Sequence, residues 1–235
     1  MTAKEVLAEL QSLGNPGTKK TLMRHGAREP LFGVKIGDMQ KLRKAIQSDH
    51  GLALDLWDSG NYDAMYFSSL IAEDERMTKT QLRKWAREAY GASLNGSVVP
   101  SVAAGSPHGR DLAVEWIDRK SDLVASVGWS TLSLMAMVKP DDELDFSLFQ
   151  KLLARAEKEI HAAGNESKYA MNHFVIATGS GIAPLFDTAL ATAESIGVVE
   201  IDHGQTACQT PFAPDYLRKV EAKGRVGKKK KSAKC

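Results

Sequence analysis

Two groups of cations and one group of soft ligands are the residues of this 235-residue chain whose types and spacing could do chemistry. Lys35, Lys41, Arg43 and Lys44 precede or occupy one amphipathic stretch, and Lys41 and Lys44, three apart, share a helix face. Lys19, Lys20 and Arg24 lie just upstream. Such a surface could meet phosphates, which fix the position of a polyanion without reading its sequence. An ordinary solvated face has the same composition. The second group is the tail, where Lys228, Lys229, Lys230 and Lys231 stand in a row. From Lys223 onward there are seven basic residues and no acidic one. Taking those seven from the 31 basic residues leaves 24 against 29 acidic, so a mildly acidic body carries a strongly basic end. That end fits counterion release on a polyanion as well as it fits a solvated, flexible terminus.

The soft ligands are His203, Cys208 and Cys235, with Asp202 as a conceivable fourth. Imidazole and thiolate suit zinc, but His203 and Cys208 do not have zinc-finger spacing, and the expectation is no metal. Gly179-Ser180-Gly181 and the glycines at 224 and 227 match neither a P-loop nor a dinucleotide fingerprint, so no nucleotide cofactor is expected. Ser101, Ser106 and His108 lie close together without a nucleophile-elbow motif and read as loop residues.

The elements that must position these groups are helices. Hydrophobic residues make up 43% of the chain and charged residues 26%, the balance of a globular protein rather than a disordered one. Val6, Leu7, Leu10 and Leu13 form one helical stripe over 3–13, which Gly14-Asn15-Pro16-Gly17 stops. Asp38 is a candidate cap for 39–47, Asn61 for 62–72, and Thr78 precedes a helix over 81–90. Further helices are expected over about 110–119, 122–138, 147–163, 167–178 and 184–196, and Pro214 suits the first turn of a last one through 223. Only 198–201 is strand-like. No run of about 18 apolar residues could cross a membrane, and positions 1–10 mix charge with apolar residues unlike a secretory leader. With two cysteines and no export signal, the chain is expected to be cytoplasmic.

The connections repeat a form. Residues 56–63, 115–122 and 162–167 each close one helix and supply an Asn or Ser next to an acidic residue to open another. Helix pairs of roughly 40–47 residues are the HEAT or armadillo type of repeat. The expectation is an all-α protein, a curved solenoid of HEAT-like repeats with a concave groove. Residues 1–222 would form a single domain and 223–235 a basic, flexible tail.

Leu31-Phe32-Gly33-Val34-Lys35-Ile36-Gly37-Asp38-Met39-Gln40-Lys41-Leu42-Arg43-Lys44 resembles the segment FGV-[KR]-I-P-x-L-R-K of the AlkD-like DNA alkylation repair proteins. Leu56-Trp57-Asp58-Ser59 followed by Tyr62-Asp63-Ala64 resembles that family's helix junction LW-x-S-x-x-x-E-A, and Trp85 falls where the family has a Trp before its catalytic helix. The resemblance spans roughly 21–195. It implies a helical-repeat cradle for duplex DNA and hydrolytic release of cationic 3- and 7-alkylated purines without base flipping. Such a leaving group needs no general acid, only negative charge beside the sugar, which the family supplies with an Asp.

The same alignment puts Tyr90 at a family Trp and Leu94 at the catalytic Asp, and no acidic residue occurs from 91 to 109. The next functional positions fall near Trp129 and near Asn172 and His173. Tyr90, Trp129, Asn172 and His173 are therefore the candidate groove residues, offering stacking faces, a bidentate amide and a group titrating near neutrality. Trp129 and His173 read equally as core. Two functions follow: a DNA-binding member of the alkylation repair family, which could act as a glycosylase with a rearranged site, or a non-catalytic helical-repeat scaffold that kept the fold and lost the chemistry.

Overall fold

Asn15 and Pro16, which the sequence places in a helix stop, also start a helix. In the computed structural model, which describes residues 1–234, α1 (Ala3–Ser12) ends at Leu13 and α2 (Pro16–Arg24) begins three residues later. Asn15 accepts the Thr18 N–H at 2.9 Å, and Pro16 occupies the first turn, where a missing N–H costs nothing. A second departure is α3 (Ile36–Ile46). Its N-cap is Lys35, not Asp38, and Asp38 sits in the first turn, where it favours the helix dipole and pairs with Lys41 at 2.8 Å.

Asn61 and Thr78 act as the expected caps, but the 162–167 junction does not. Its helix starts at Asn165, Gly164 makes no side-chain cap, and the Asp122 carboxylate accepts the Glu166 and Ser167 N–H groups instead. Asp49 caps α4 (His50–Asp58), Asn61 caps α5 (Tyr62–Ile71), and Thr78 forms a reciprocal capping box with Gln81 at the start of α6 (Lys79–Glu88). Next comes a helical run of three parts: α7 (Gly91–Ser93), a π-helical turn (Leu94–Val98) and α8 (Val99–Gly105). In the π turn Val99 donates to Leu94 O, five residues back, and the next residue, Pro100, has no N–H to give.

These elements make one compact unit, Met1–His108 with Gly204–Thr206 and Lys234. Its interior holds Leu10, Leu56, Phe67 and Ile71, together with Trp57 and Trp85 stacked at 4.2 Å and 8°. The Trp57 indole N–H donates to Glu88 at 2.7 Å. Trp85, at the family's Trp position, is thus a packing residue.

The second unit is Gly109–His203 with Ala207–Ala233. It contains α9 (Gly109–Trp116), α10 (Asp122–Val138), α11 (Phe146–Glu159), α12 (Asn165–Gly181), α13 (Phe186–Ile196) and α14 (Ala213–Ala222). α10 packs against both α9 and α12, and α12 also meets α13 and α14. Small residues permit the close approaches: a Cβ on Gly128 would stand 2.7 Å from Ala113 O, and one on Gly181 2.3 Å from Ala136 O. Gly181, in the Gly179-Ser180-Gly181 run that matches no nucleotide-binding fingerprint, is an interhelical packing position. Residues 198–201 are not strand, and among the described residues there is one isolated bridge, Gly14 with Val34. The fold is all-α, of HEAT-like helical pairs. No helix among the described residues is long and apolar enough to cross a membrane.

Candidate nucleic-acid interface

In the first unit the conspicuous segment 31–44 is held by one carboxylate. Asp63, fully buried in the first turn of α5, accepts the backbone N–H groups of Phe32, Gly33 and Val34 at 2.6, 3.0 and 2.8 Å. Gly33 has φ +82°, and a Cβ there would lie 2.5 Å from Lys19 N and 2.6 Å from Asn15 O. The Phe-Gly-Val triplet is therefore a backbone anchor: glycine for the conformation and the close approach, and three N–H donors for an acid 30 residues away.

This anchor sets the start of the basic helix. Lys35, at the N-cap of α3, and Lys44, in its last turn, are exposed. Lys41 is also exposed but paired with Asp38, which raises its pKa, and Arg43 Nε donates to Leu70 O at 3.0 Å. Lys35, Lys41 and Lys44 present solvent-facing cations, whereas Arg43 ties α3 to the end of α5.

Tyr90 is half-buried just before α7, 5.5 Å from the Tyr62 ring, with the Arg28 guanidinium 5.4 Å from its centroid. Burial raises the pKa of both phenols. Leu94, aligned with the family's Asp, is fully buried on the π turn. Asn95 follows it, 2% exposed, and neither atom of its amide has a hydrogen-bond partner. Nothing in the local sequence pattern marks Asn95, because only the register of the π turn sends it inward. Ser101 lies inside α8, not in the expected loop, and donates to Val98 O, while Ser106 caps that helix and donates to Ala103 O.

In the second unit Trp129 is fully buried, edge-on to Phe174 at 5.1 Å, with the Arg155 guanidinium 5.9 Å from its ring. It is core and offers no open face for stacking. Asn172 is also buried, and its amide donates to Pro211 O at 2.9 Å. Asn165 makes the matching tie two turns earlier, donating to Asp202 O at 3.0 Å and accepting Asp202 N–H at 2.8 Å. Asn165 and Asn172 thus fasten residues 202 and 211 of the long loop to α12.

Beside those ties lie Tyr169 and His173, with ring centroids 4.4 Å apart, and His203 from the loop stands 5.8 Å from Tyr169. Sequence reasoning reaches His173 but not Tyr169 or Asn165. Residues 165, 169, 172 and 173 are spaced to share one face of α12, and that spacing is the signal by which they can be found. The His203 imidazole bonds the Thr210 hydroxyl at 3.0 Å. Among the described residues no three His, Cys, Asp or Glu side chains are arranged to hold a metal ion, and Cys235 lies outside the described residues.

Burial also sets the charge state of His173. Its Nε2 has no hydrogen-bond partner, and desolvation lowers its pKa below the ordinary 6.5. The native state therefore keeps the ring neutral while the unfolded chain protonates first. Stability is full above about pH 6.5 and should fall as the pH drops towards the native pKa. Urea midpoints of wild type and His173→Gln between pH 8 and 5.5 check this. The wild-type profile should be the steeper below about pH 6.5, and parallel profiles would show that His173 is not held neutral.

The basic tail has specific partners. Val226 packs on the second unit's core and Gly227 N–H donates to Ser180 O at 2.9 Å. Lys229 Nζ lies 2.9 Å from Ala136 O and 2.8 Å from Asp141. In the first unit Lys234 Nζ lies 2.8 Å from Ala72 O and 2.7 Å from Asp74. Lys228, Lys230 and Lys231 are exposed.

Helix pairs joined by capped turns, close-packed through glycines and carrying exposed lysines, define a HEAT-like helical-repeat protein. The chain belongs to the DNA alkylation repair enzyme family, whose pattern matches residues 6–194. It is 32% identical over 227 residues to uncharacterized proteins of Listeria innocua and Listeria monocytogenes, covering 94% of this chain and 97% of each relative. A solved structure described as a new family of proteins related to the HEAT-like repeat DNA glycosylases, with affinity for branched DNA structures, superposes with a TM-score of 0.93. It is 32% identical, and both chains are covered over 100% of their lengths.

Proposed function

We propose that this chain binds DNA, branched DNA in preference to linear duplex, and does not excise alkylated purines. The observation that carries the reading is the fully buried Leu94 at the position aligned with the family's catalytic Asp, in a stretch, 91–109, without any acid. Cleavage of an N-glycosidic bond develops positive charge on the sugar, and an apolar side chain sealed in the interior gives that charge no stabilisation. Membership of the family and the likeness to a protein described as having affinity for branched DNA support the binding half. The exposed Lys35 and Lys44 supply sequence-independent phosphate contacts, which serve a reader of DNA shape.

Two measurements test the reading. Methylated duplex DNA incubated with the protein should release 3- and 7-methylpurine at the spontaneous rate only. A four-way junction should be retained at salt concentrations that free a linear duplex of the same length. Release well above the spontaneous rate would overturn the non-catalytic half. Absence of salt-dependent binding to either DNA would leave a scaffold without nucleic-acid function.

A further inference from the structure

The tail is fastened to the second unit through Lys229, whose neighbours in the lysine row stay open. Backbone bonds pin it on both sides, from Gly227 N–H to Ser180 O and from Lys230 N–H to Met137 O at 2.7 Å. Between them the Lys229 ammonium meets Ala136 O and the Asp141 carboxylate, with its side chain 21% exposed. Ala136 and Met137 lie in the last turn of α10, and Asp141 opens the 3-10 turn that follows. The negative end of a helix dipole and an acid one short connection later together make a receptor for an ammonium group. The first unit repeats the construction: Ala72 is the C-cap of α5, Asp74 opens the next 3-10 turn, and Lys234 is the cation. With Lys229 held, Lys228, Lys230 and Lys231 stand exposed beside it, and the backbone N–H groups of residues 227, 228 and 230 are all bonded.

We propose that Asp141 and the carboxyl end of α10 form an internal ammonium receptor that locks Lys229, so that Lys228, Lys230 and Lys231 present a preordered row to the DNA phosphate backbone. The inference rests on the DNA-binding reading above. A disordered tail would lose conformational freedom when it binds, and a docked one has lost it already, so docking raises affinity without adding a phosphate partner. This reverses the sign expected from charge alone. Removing a carboxylate beside a polyanion site should strengthen binding, whereas removing Asp141 frees the row and should weaken it.

The test uses the full chain and a fluorescent four-way junction. D141N is compared with D142N, which deletes the same charge at the next residue, one that is exposed. D141N should bind about 3–10 times more weakly than wild type, and D142N as tightly as wild type or slightly more so. K228Q/K230Q/K231Q should flatten the slope of log affinity against log salt by roughly 0.9 for each phosphate that is no longer neutralised. In that triple background D141N should have no further effect. D141N binding as tightly as D142N would overturn the inference, and so would an equal loss from D141N in the triple background. A wild type with no salt-dependent binding would instead overturn the DNA reading on which it rests.

Discussion

Replacing Asp63 with alanine should lower the midpoint of thermal unfolding by about 6–20 °C, the equivalent of about 3–5 kcal/mol in a chain of this size. The carboxylate is buried and accepts three backbone N–H groups of residues 32–34, the longest of the three bonds being 3.0 Å. Its position in the first turn of α5 adds the positive end of that helix dipole. Alanine would leave three donors facing a cavity from which water is excluded, the costly way to lose a hydrogen bond. Asn61, two residues before it, caps the same helix through Ala64 N–H at 3.1 Å and remains, so α5 should still form. The expected lesion is release of segment 31–35 and of the start of α3. Differential scanning calorimetry measures the shift, and hydrogen exchange should localise it to the amides of residues 32–34. A midpoint within about 2 °C of wild type would mean that other contacts hold the segment.

Gly181→Ala should be the second severe change, costing about 2–3 kcal/mol and about 4–12 °C. A Cβ at 181 would stand 2.3 Å from Ala136 O and 3.2 Å from Met137 Sδ. The sulfur can move, but the carbonyl belongs to α10, so one helix must shift against the other. The same carbonyl receives Lys229, and the substitution should loosen the tail as well. Gly37→Ala is the control: it lies in the first turns of α3 with nothing within 4 Å of a new Cβ, and alanine there should stabilise by about 0.4–1 kcal/mol. Equal effects at the two glycines would show that backbone entropy, and not interhelical contact, governs position 181.

What the sequence by itself determined is everything whose partner lies within a turn or two of chain. Asn61 and Ser121 reach N–H groups three residues on and their helices start at the expected 62 and 122, α10 running over the expected 122–138. Thr78 makes the same bond for a helix that starts at 79, two residues before the expected 81. Pro214 opens α14 for the same local reason. Asn15 and Pro16 show the limit, because residues that stop one helix are equally those that start another. The Phe-Gly-Val resemblance identified the family correctly, yet the acid that explains the triplet lies 30 residues away and only folding brings it there.

Tertiary structure alone decided which candidate residues stand open. Trp129 and Asn172 offer stacking and amide chemistry on paper, but α10 and α12 pack face to face and commit one to the core and the other to Pro211 O. Leu94 and Asn95 are both buried on a π turn, an extra residue in the helix that no reading of 3.6-residue periodicity anticipates. For the tail, composition established the charge, but the carbonyls left without intrahelical partners at the end of α10 and the Asp141 carboxylate determine which lysine docks there. Those partners lie about 90 residues back along the chain. Sequence periodicity records only which face of a helix is apolar, and a backbone carbonyl is the same group at every residue, so its availability appears only when helix ends are brought together.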